Sequence, residues 1–315
     1  MTDKSRILVA DPQAIAEAVG VLQAGGIVAV PTETVYGLAA RAGDAVAVAR
    51  IFAAKQRPVF NPLIVHVAGA GQAEELVEIE AVSTRLMAAF WPGGLTLVLP
   101  LRAGAAVSGL VTAGLSTLAV RCPAHPVMQA LIAGAGPLAA PSANASGRIS
   151  STTAQHVADS LGGRVGLILD GGASVAGVES TIVAVESGRA RLLRPGAVAV
   201  EDISAVLGQE IAIAQMDEDV IAPGMMASHY APRQPVRLDA LTAASHEYHL
   251  GFGAVKGDAS LSEGGDVVEA AARLFDLLHR AEASGRAAIA VAPVPLHGLG
   301  LAINDRLGRA AAPRE

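Results

Sequence analysis

The chain has 315 residues, a length that suits two domains of unequal size better than one small core. Apolar residues make up 52% and charged residues 17%, which indicates a folded globular protein; no stretch is apolar enough to span a membrane and no signal core opens the chain, so we expect a cytoplasmic protein. The net charge of −6 argues against a broad RNA-binding surface, and the single cysteine, Cys122, excludes an intramolecular disulfide and a multi-cysteine zinc site.

The first elements alternate between helix and strand. Asp11 and Pro12 predict the cap and first residue of an amphipathic helix that stops at the glycines of positions 25 and 26. A β-branched strand over residues 27–30 follows, and a polar segment leaves its carboxyl end, where ligand groups commonly lie. A second helical pattern ends near Lys55, and a strand over residues 63–67 places His66 near its end.

Further strands complete the pattern of a mixed α/β domain that runs to about residue 207. A strand over residues 117–121 alternates with period two, so Thr117 and Arg121 share a face. Thr152 with Gln155 offers a capping box for the next helix. The remaining strands are predicted over residues 95–99, 138–140, 165–169, 181–185 and 191–194, the last two forming a hairpin.

The pattern weakens over residues 208–235, which we interpret as an interdomain linker. It contains an acidic stretch at 217–219 and several prolines. Beyond it, an extended segment around Leu250, an amphipathic helix with Leu274 and Phe275, a strand over 287–294 and a final helix predict a small α/β domain over residues 236–315.

Candidate chemistry is carried by basic and small polar side chains, because the chain has no GxxxxGK[ST] phosphate loop. Lys55, Arg57, Arg121 and Arg194 stand at the ends of predicted elements; isolated, each would be interpreted as solvated surface charge, and together they could hold phosphates or carboxylates.

Three other residues keep two interpretations each. Ser142 and Asn144 could cap a turn or contact a ligand, and His66 could be a satisfied half-buried ring or a catalytic one. Cys122 lacks the setting of a catalytic cysteine, and we interpret it as structural.

Taken together, several motifs closely resemble those of the YrdC-like threonylcarbamoyl-AMP synthases. The core of the match is PTETVYG at 31–37, KQR at 55–57, NPLIVH at 61–66 and PSAN at 141–144. It extends through FWPG at 90–93, RCPAHP at 121–126, GVEST at 177–181 and LRPG at 193–196. APGM at 222–225, HYAP at 229–232, GLG at 298–300 and INDR at 303–306 are similar to the longer, two-domain form.

The resemblance implies a fold and a set of site residues. The fold would be a twisted mixed-sheet α/β domain with a basic cavity, a linker that closes over it, and a small Rossmann-like C-terminal domain. Residues matching the family's L-threonine site are Thr34, His66, Arg121 and Ser180. Residues matching its ATP site are Arg57, Asn61, Thr117, Ser142, Asn144, Ser150, Arg194 and Tyr230, and we expect Lys55 and Arg57 to be catalytic.

The implied activity is synthesis of threonylcarbamoyl-AMP and pyrophosphate from L-threonine, bicarbonate and ATP, a nucleotidyltransferase reaction. Mg²⁺ would be held mainly through the ATP phosphates, with no all-protein metal site. The product would pass to a tRNA-modifying threonylcarbamoyl-transferase complex. The alternative is a non-catalytic RNA-binding or translation-associated protein, disfavoured by the net charge and by only 3% aromatic residues. A carbamoyltransferase of the hydrogenase-maturation type would need a zinc finger, which one cysteine cannot supply.

Overall fold

The computed structural model describes residues 5–214 and 229–313, and its strands form two sheets. The larger sheet contains β1 (Arg6–Val9), β2 (Val28–Val30), β3 (Gly37–Arg41), β4 (Ile64–His66), β5 (Leu95–Pro100), β6 (Thr117–Arg121), β7 (Leu138–Ala139), β8 (Leu167–Asp170), β9 (Thr181–Glu186), β10 (Arg189–Arg194) and β11 (Ala212–Ile213). The smaller sheet contains β12 (Val236–Arg237), β13 (Glu247–Gly251), β14 (Ala259–Ser260) and β15 (Ala288–Val291).

Helices connect these strands. Those between strands of the larger sheet are α1 (Pro12–Gln23), α2 (Ala45–Lys55), α3 (Ala70–Glu74), α4 (Ala81–Phe90), α5 (Gly109–Thr112), α6 (Pro126–Ala135), α7 (Ala154–Leu161) and α8 (Val200–Leu207), with a short 3₁₀ helix at Gly162–Arg164. The smaller sheet packs with α9 (Val267–Ala283) and α10 (Gly300–Ala311). The fold is therefore the mixed α/β architecture that the sequence predicts.

The larger sheet mixes parallel and antiparallel pairs. Its strand order is β1-β8-β2-β3-β7-β4-β6-β5-β9-β10-β11. Strands β4 and β6 run parallel, β6 and β5 antiparallel, and β5 and β9 parallel. The smaller sheet, in the order β12-β15-β13-β14, is parallel throughout, which agrees with the expected Rossmann-like domain.

Local sequence signals account for most boundaries. The Asp11 side chain accepts from the Ala14 amide and Pro12 opens α1, as predicted. The predicted capping box at Thr152 is wrong: Thr153 caps α7 by accepting from the His156 amide, and Gln155 instead donates to Asp159. Two adjacent threonines offer the same hydroxyl, so only the backbone geometry decides which of them caps the helix.

The two faces of the central strands differ. On one face, Leu97, Val120 and Val183 belong to the main apolar core, which helices cover. On the other face, Val98 and Ala119 belong to a small cluster that leaves the ends of the strands free for polar side chains. This uneven covering creates room for a cavity on one side of the sheet.

The core of the smaller sheet extends into the first part of the chain. Val35, Val178 and Tyr230 pack with residues of α9 and α10 in one apolar cluster. Gly177 makes the approach close, because a Cβ there would come within 2.4 Å of the Ala272 Cα, and its φ of +70° suits glycine. The second sheet and its helices therefore abut the loop that leads into β9.

The larger sheet continues through β11, past residue 207, where the sequence places the end of the first domain, and β12 begins at the predicted position 236. The acidic stretch at 217–219 and the APGM motif lie outside the described residues. Within the described ranges, no helix combines the length and apolar character needed to cross a membrane.

Candidate active site

Strand register sets polar side chains side by side across the larger sheet. His66 pairs with Arg121, Arg121 with Thr96, and both pairs project to the same face. Thr96 in turn pairs with Ile182, and Ile182 pairs with Arg194, whose strand has a register shift just before it. Histidine, threonine and two arginines from four strands thus form one row.

This row opens on a cavity of about 50 Å³. Its wall is formed by Thr34, Val35, Arg57, Ile64, His66, Arg121, Ala140, Pro141, Ser142, Glu179, Ser180, Arg194, His229 and Tyr230. We call Thr34, His66, Arg121 and Ser180 the strand-end side, and Arg57, Arg194, His229 and Tyr230 the cation side. The volume admits water but not a nucleotide, since small-molecule sites typically measure ~300–1,000 Å³.

Arg121 organises the strand-end side. Its guanidinium donates to Thr34 Oγ1 at 2.8 Å, to Glu33 Oε1 at 2.6 Å and to the Gly93 carbonyl at 3.1 Å. Burial raises the pKa of the Glu33 carboxyl, but the charge and hydrogen bond of Arg121 outweigh it and hold that pKa below its usual value. The arginine is therefore fixed in place before any ligand binds.

Two hydroxyls and a neutral ring complete this side. Thr96 Oγ1 and Ser180 Oγ lie 2.7 Å apart within hydrogen-bonding distance, and both residues are buried. Burial, reinforced by the charge of Arg121, lowers the pKa of His66 to about 3, so its ring is neutral at pH 7. Its buried Nδ1 has no hydrogen-bond partner, which leaves a nitrogen available to a ligand.

The cation side contains buried arginines that are anchored by carbonyl oxygens. Arg57 donates to the carbonyls of Asn61 and Pro62, and Arg194 donates to the Ser180 carbonyl at 2.8 Å. Burial lowers the pKa of Arg57 to about 10, so this guanidinium remains charged at pH 7, and burial also lowers the pKa of Arg194. Such charges are costly to bury unless an anion offsets them.

His229 and Tyr230 lie among these cations. Burial, together with Arg57, Lys55, Arg194 and Arg306, holds the pKa of His229 well below its usual value. Tyr230 is 1% exposed, and its hydroxyl has no hydrogen-bond partner. An aromatic pair therefore fills space where the surrounding positive charge suits an anion.

Lys55 is placed behind the cavity wall. It is 1% exposed, and its ammonium donates to the carbonyls of Ser142 and Asn144. Burial, followed by the charges of Arg57 and Arg164, lowers its pKa well below the usual value. Lys55 is the last residue of α2, as predicted, but the interpretation of an isolated Lys55 or Arg57 as a solvated surface charge is wrong, because both are buried and bind backbone carbonyls.

Ser150 reaches the site through Glu179. Its hydroxyl donates to Glu179 Oε1, and Arg306 of α10 donates to Glu179 Oε2 at 2.7 Å. Gly196 allows this loop to lie close, since a Cβ there would come within 2.3 Å of the Glu179 carbonyl oxygen. The second domain thus contacts the carboxylate that lines the cavity.

Eight of the sequence-predicted site residues line the cavity: Thr34, Arg57, His66, Arg121, Ser142, Ser180, Arg194 and Tyr230. Lys55, Asn61 and Ser150 stand behind this wall and are hydrogen-bonded to Ser142, Arg57 and Glu179 in it, and Asn144 is joined to it through the Lys55 ammonium. Thr117 shares the Arg121 face of β6, as predicted, but lies four residues away, roughly 13 Å along the strand, and is not in the wall.

Sequence reasoning missed Glu33, Thr96, Glu179, His229 and Arg306 as functional candidates. Four of them lie inside motifs that carried the resemblance, so position within a motif was the available signal. Thr96 had none, because only strand register sets it beside Arg121.

No cluster of three or more histidine, cysteine, aspartate or glutamate side chains in the described part of the chain has a geometry that could hold a metal ion. Glu179, the carboxylate in the cavity wall, is already engaged by Ser150 and Arg306. These described residues do not fit a protein-built metal site.

Two family models match the chain. Residues 20–196 match the model of Sua5, YciO and YrdC proteins, described as "Telomere recombination". Residues 198–312 match the model described as "Threonylcarbamoyl-AMP synthase, C-terminal domain". The two matches together contain every strand of both sheets except β1.

Relatives agree with these models. The threonylcarbamoyl-AMP synthase of Bacillus subtilis is 41% identical, covering 96% of this chain and 94% of the relative. The crystal structure of Pyrococcus abyssi Sua5 complexed with L-threonine superposes with a TM-score of 0.90 at 39% identity, covering 98% of each chain. Escherichia coli YciO, at 23% identity and a TM-score of 0.53 over 61% of this chain and 96% of its own, shares the fold.

Proposed function

The chain belongs to the Sua5/YrdC family of threonylcarbamoyl-AMP synthases, enzymes of the transferase type, and we propose that it joins L-threonine, bicarbonate and ATP into threonylcarbamoyl-AMP with release of pyrophosphate. The observation that carries the proposal is that one cavity brings together a preformed polar strand-end side and a cation side. The RNA-binding alternative gains no support from these relatives. The finer class that we propose is nucleotidyltransferase.

We assign L-threonine to the strand-end side. Arg121 offers its charge to the substrate carboxylate, and its bonds to Thr34 and Glu33 hold it in one orientation. The neutral His66 ring is suited to accept a hydrogen bond from the substrate through Nδ1. A relative from Pyrococcus abyssi was solved with L-threonine, which supports this choice of ligand.

We assign ATP to the cation side and to the face of the sheet that continues toward Thr117. Arg57 and Arg194 offset the phosphate charge, and Ser142, Asn144, Asn61 and Ser150 shape the surrounding loops. Lys55, expected from the sequence to be catalytic, would act by holding the Ser142 loop, because its ammonium is committed to two carbonyls of that loop. Arg57, which the sequence also indicated, is the cation that we propose to be catalytic.

The proposed reaction has two steps. The neutral amine of threonine adds to carbon dioxide or bicarbonate, which gives a carbamate and, from bicarbonate, water. A carbamate oxygen then attacks the α-phosphorus of ATP, and the bond to pyrophosphate breaks. Holding the unstable carbamate next to ATP can contribute up to about 7–11 kcal/mol through proximity, and the arginines stabilise the charge that develops.

Closure of the linker segment over the cavity is part of the proposal. Because the cavity holds only about 50 Å³, a nucleotide requires His229 and Tyr230 to leave the cation side. Their return over bound substrates would exclude water from the carbamate. Mg²⁺, carried by the ATP phosphates, would supply charge neutralisation of the pyrophosphate leaving group. The product would then pass to a tRNA threonylcarbamoyl-transferase complex.

The test is pyrophosphate release from ATP and magnesium, with L-threonine and bicarbonate present together or omitted one at a time. The proposal expects release only when both are present. Arg57→Met should abolish it, whereas Arg102→Met, which removes an exposed arginine bound to the Glu74 carbonyl, should keep the wild-type rate. If the chain is folded, pyrophosphate release that is unchanged when either L-threonine or bicarbonate is omitted would contradict the proposal.

A further inference from the structure

Arg306 is a fully buried cation that the second domain brings to the cavity. It lies on α10, is 0% exposed, and is bound by carboxylates on two sides. Nε donates to Glu179 Oε2 at 2.7 Å and Nη1 donates to Asp305 Oδ2 at 2.5 Å. A guanidinium so far from water needs such partners, because an uncompensated buried charge is strongly destabilising.

Its contacts lead to two residues that we assign to ATP. The Arg306 guanidinium lies over the Tyr230 ring, 5.1 Å from the ring centroid, within the range of a cation–π contact. Arg306 is linked to Ser150 through Glu179, because one carboxylate oxygen of Glu179 accepts from Arg306 and the other accepts from Ser150. One arginine of the second domain therefore holds both the aromatic ring and the serine of the nucleotide side.

One nitrogen of Arg306 is left over. Nη2 is buried and has no hydrogen-bond partner, and the hydroxyl of Tyr230, the ring on which Arg306 stacks, has none either. A residue whose only task was to tie the two domains together would gain by using all of its donors, because an unmade buried hydrogen bond costs free energy. Both of these unmade bonds lie where we place the nucleotide.

We propose that Arg306 is a positioning residue for the nucleotide: by stacking on Tyr230 once this ring has returned over bound nucleotide, and by holding Glu179 and through it Ser150, it makes the second domain a necessary part of the ATP site. The proposal rests on the proposed function for the identity of the ligand. It predicts that losing Arg306 weakens nucleotide binding specifically, since Arg121 and His66 do not contact it.

The test separates positioning from stability with Arg306→Met, Glu179→Gln and the double variant. Arg306→Met leaves the buried Glu179 carboxylate without its cation, and Glu179→Gln leaves Arg306 with Asp305 as its remaining carboxylate, so each single change should lower the urea midpoint of unfolding. The double change removes both charges and should bring the midpoint back toward wild type. Calorimetry then measures the Kd of α,β-methylene ATP with magnesium and the Kd of L-threonine for every variant that folds.

The proposal expects the double variant to bind α,β-methylene ATP at least tenfold more weakly than wild type, with the L-threonine Kd within threefold. A double variant that regains nucleotide affinity together with stability would overturn it, as would an equal loss for both ligands. Arg237→Met, which breaks the ion pair with Glu247 in the same domain, is the control and should change neither Kd.

Binding is the readout because it separates this inference from the proposed function. A wild-type chain that binds the ATP analogue but makes no threonylcarbamoyl-AMP would contradict the proposed function while the Arg306 comparison still decides the inference. A wild-type chain that binds no analogue would overturn both.

Discussion

The two sides of the cavity differ in the partners that they give to their buried charged and polar groups. On the strand-end side, Arg121 meets the carboxylate of Glu33, and the hydroxyls of Thr96 and Ser180 pair with each other. On the cation side, the hydroxyl of Tyr230 and the Nδ1 of His229 have no hydrogen-bond partner among buried arginines. On the first side the buried charge of Arg121 is paired without a ligand and His66 Nδ1 is left open to one, whereas the second side is arranged for an anion. We infer that the threonine site is preformed and that the nucleotide site is completed by its ligand.

The largest effect is expected from Arg121→Met, which removes the paired cation of the strand-end side. Glu33 would be left buried without its cation, so the free energy of unfolding should fall by about 3–5 kcal/mol. The L-threonine Kd should rise about 30-fold or more, with a much smaller change for α,β-methylene ATP. Urea unfolding and calorimetry measure the two effects; an unchanged L-threonine Kd would contradict the assignment of this side.

A second large effect is expected from Lys55→Met. The carbonyls of Ser142 and Asn144 would lose their buried donor, so the free energy of unfolding should fall by about 2–4 kcal/mol. Lys256→Met is the matched control, because that lysine is exposed and its loss should leave the urea midpoint unchanged. Equal midpoints for the two variants would show that the buried ammonium does not support the loop.

Removing one hydroxyl from each side should give opposite results. Thr96→Val takes a partner from Ser180 and should cost about 1–2 kcal/mol of unfolding free energy. Tyr230→Phe removes a buried hydroxyl that has no partner and should cost nothing or stabilise slightly. Thermal unfolding of the two variants measures this difference, and a larger loss for Tyr230→Phe would reverse the comparison.

The smallest effect concerns pH. The pKa of His66 is about 3 in the folded chain and 6.5 as its ordinary value, so the unfolded chain binds more protons between these values. Its contribution to stability is complete above pH 6.5 and is lost as pH falls, by about 1 kcal/mol between pH 7 and 5.5. His66→Gln should remove that part of the pH dependence, whereas His297→Gln, at an exposed ring, should keep it. Identical urea midpoints against pH for wild type and His66→Gln would contradict this account.

The sequence predicts the strand-end side well because its information is local. Period-two alternation in residues 117–121 correctly places Thr117 and Arg121 on one face, and Asp11 with Pro12 correctly marks the start of α1. The motif resemblance indicated Thr34 and His66, and both lie in the cavity wall. Whether these residues bind L-threonine stays a prediction.

The cation side was harder to predict because its partners are distant in sequence. A lysine at the end of a helix has the pattern of a surface residue, and nothing local shows that Lys55 is covered by the loop at 141–144. Arg306 meets Glu179 across 127 residues and two domains, which no spacing rule can anticipate. Whether a charged side chain is buried depends on tertiary contacts. The local sequence therefore cannot predict it when the hydrogen-bond or ion-pair partner belongs to a distant element.

Synthesis of threonylcarbamoyl-AMP in this cavity is best tested by the mass of the nucleotide product formed from ATP, L-threonine and ¹³C-bicarbonate. We expect threonylcarbamoyl-AMP that is one mass unit heavier than the product from unlabelled bicarbonate, and no such product from Arg57→Met. A nucleotide product without the label, or without threonine, would contradict the assignment of this cavity to threonylcarbamoyl-AMP synthesis.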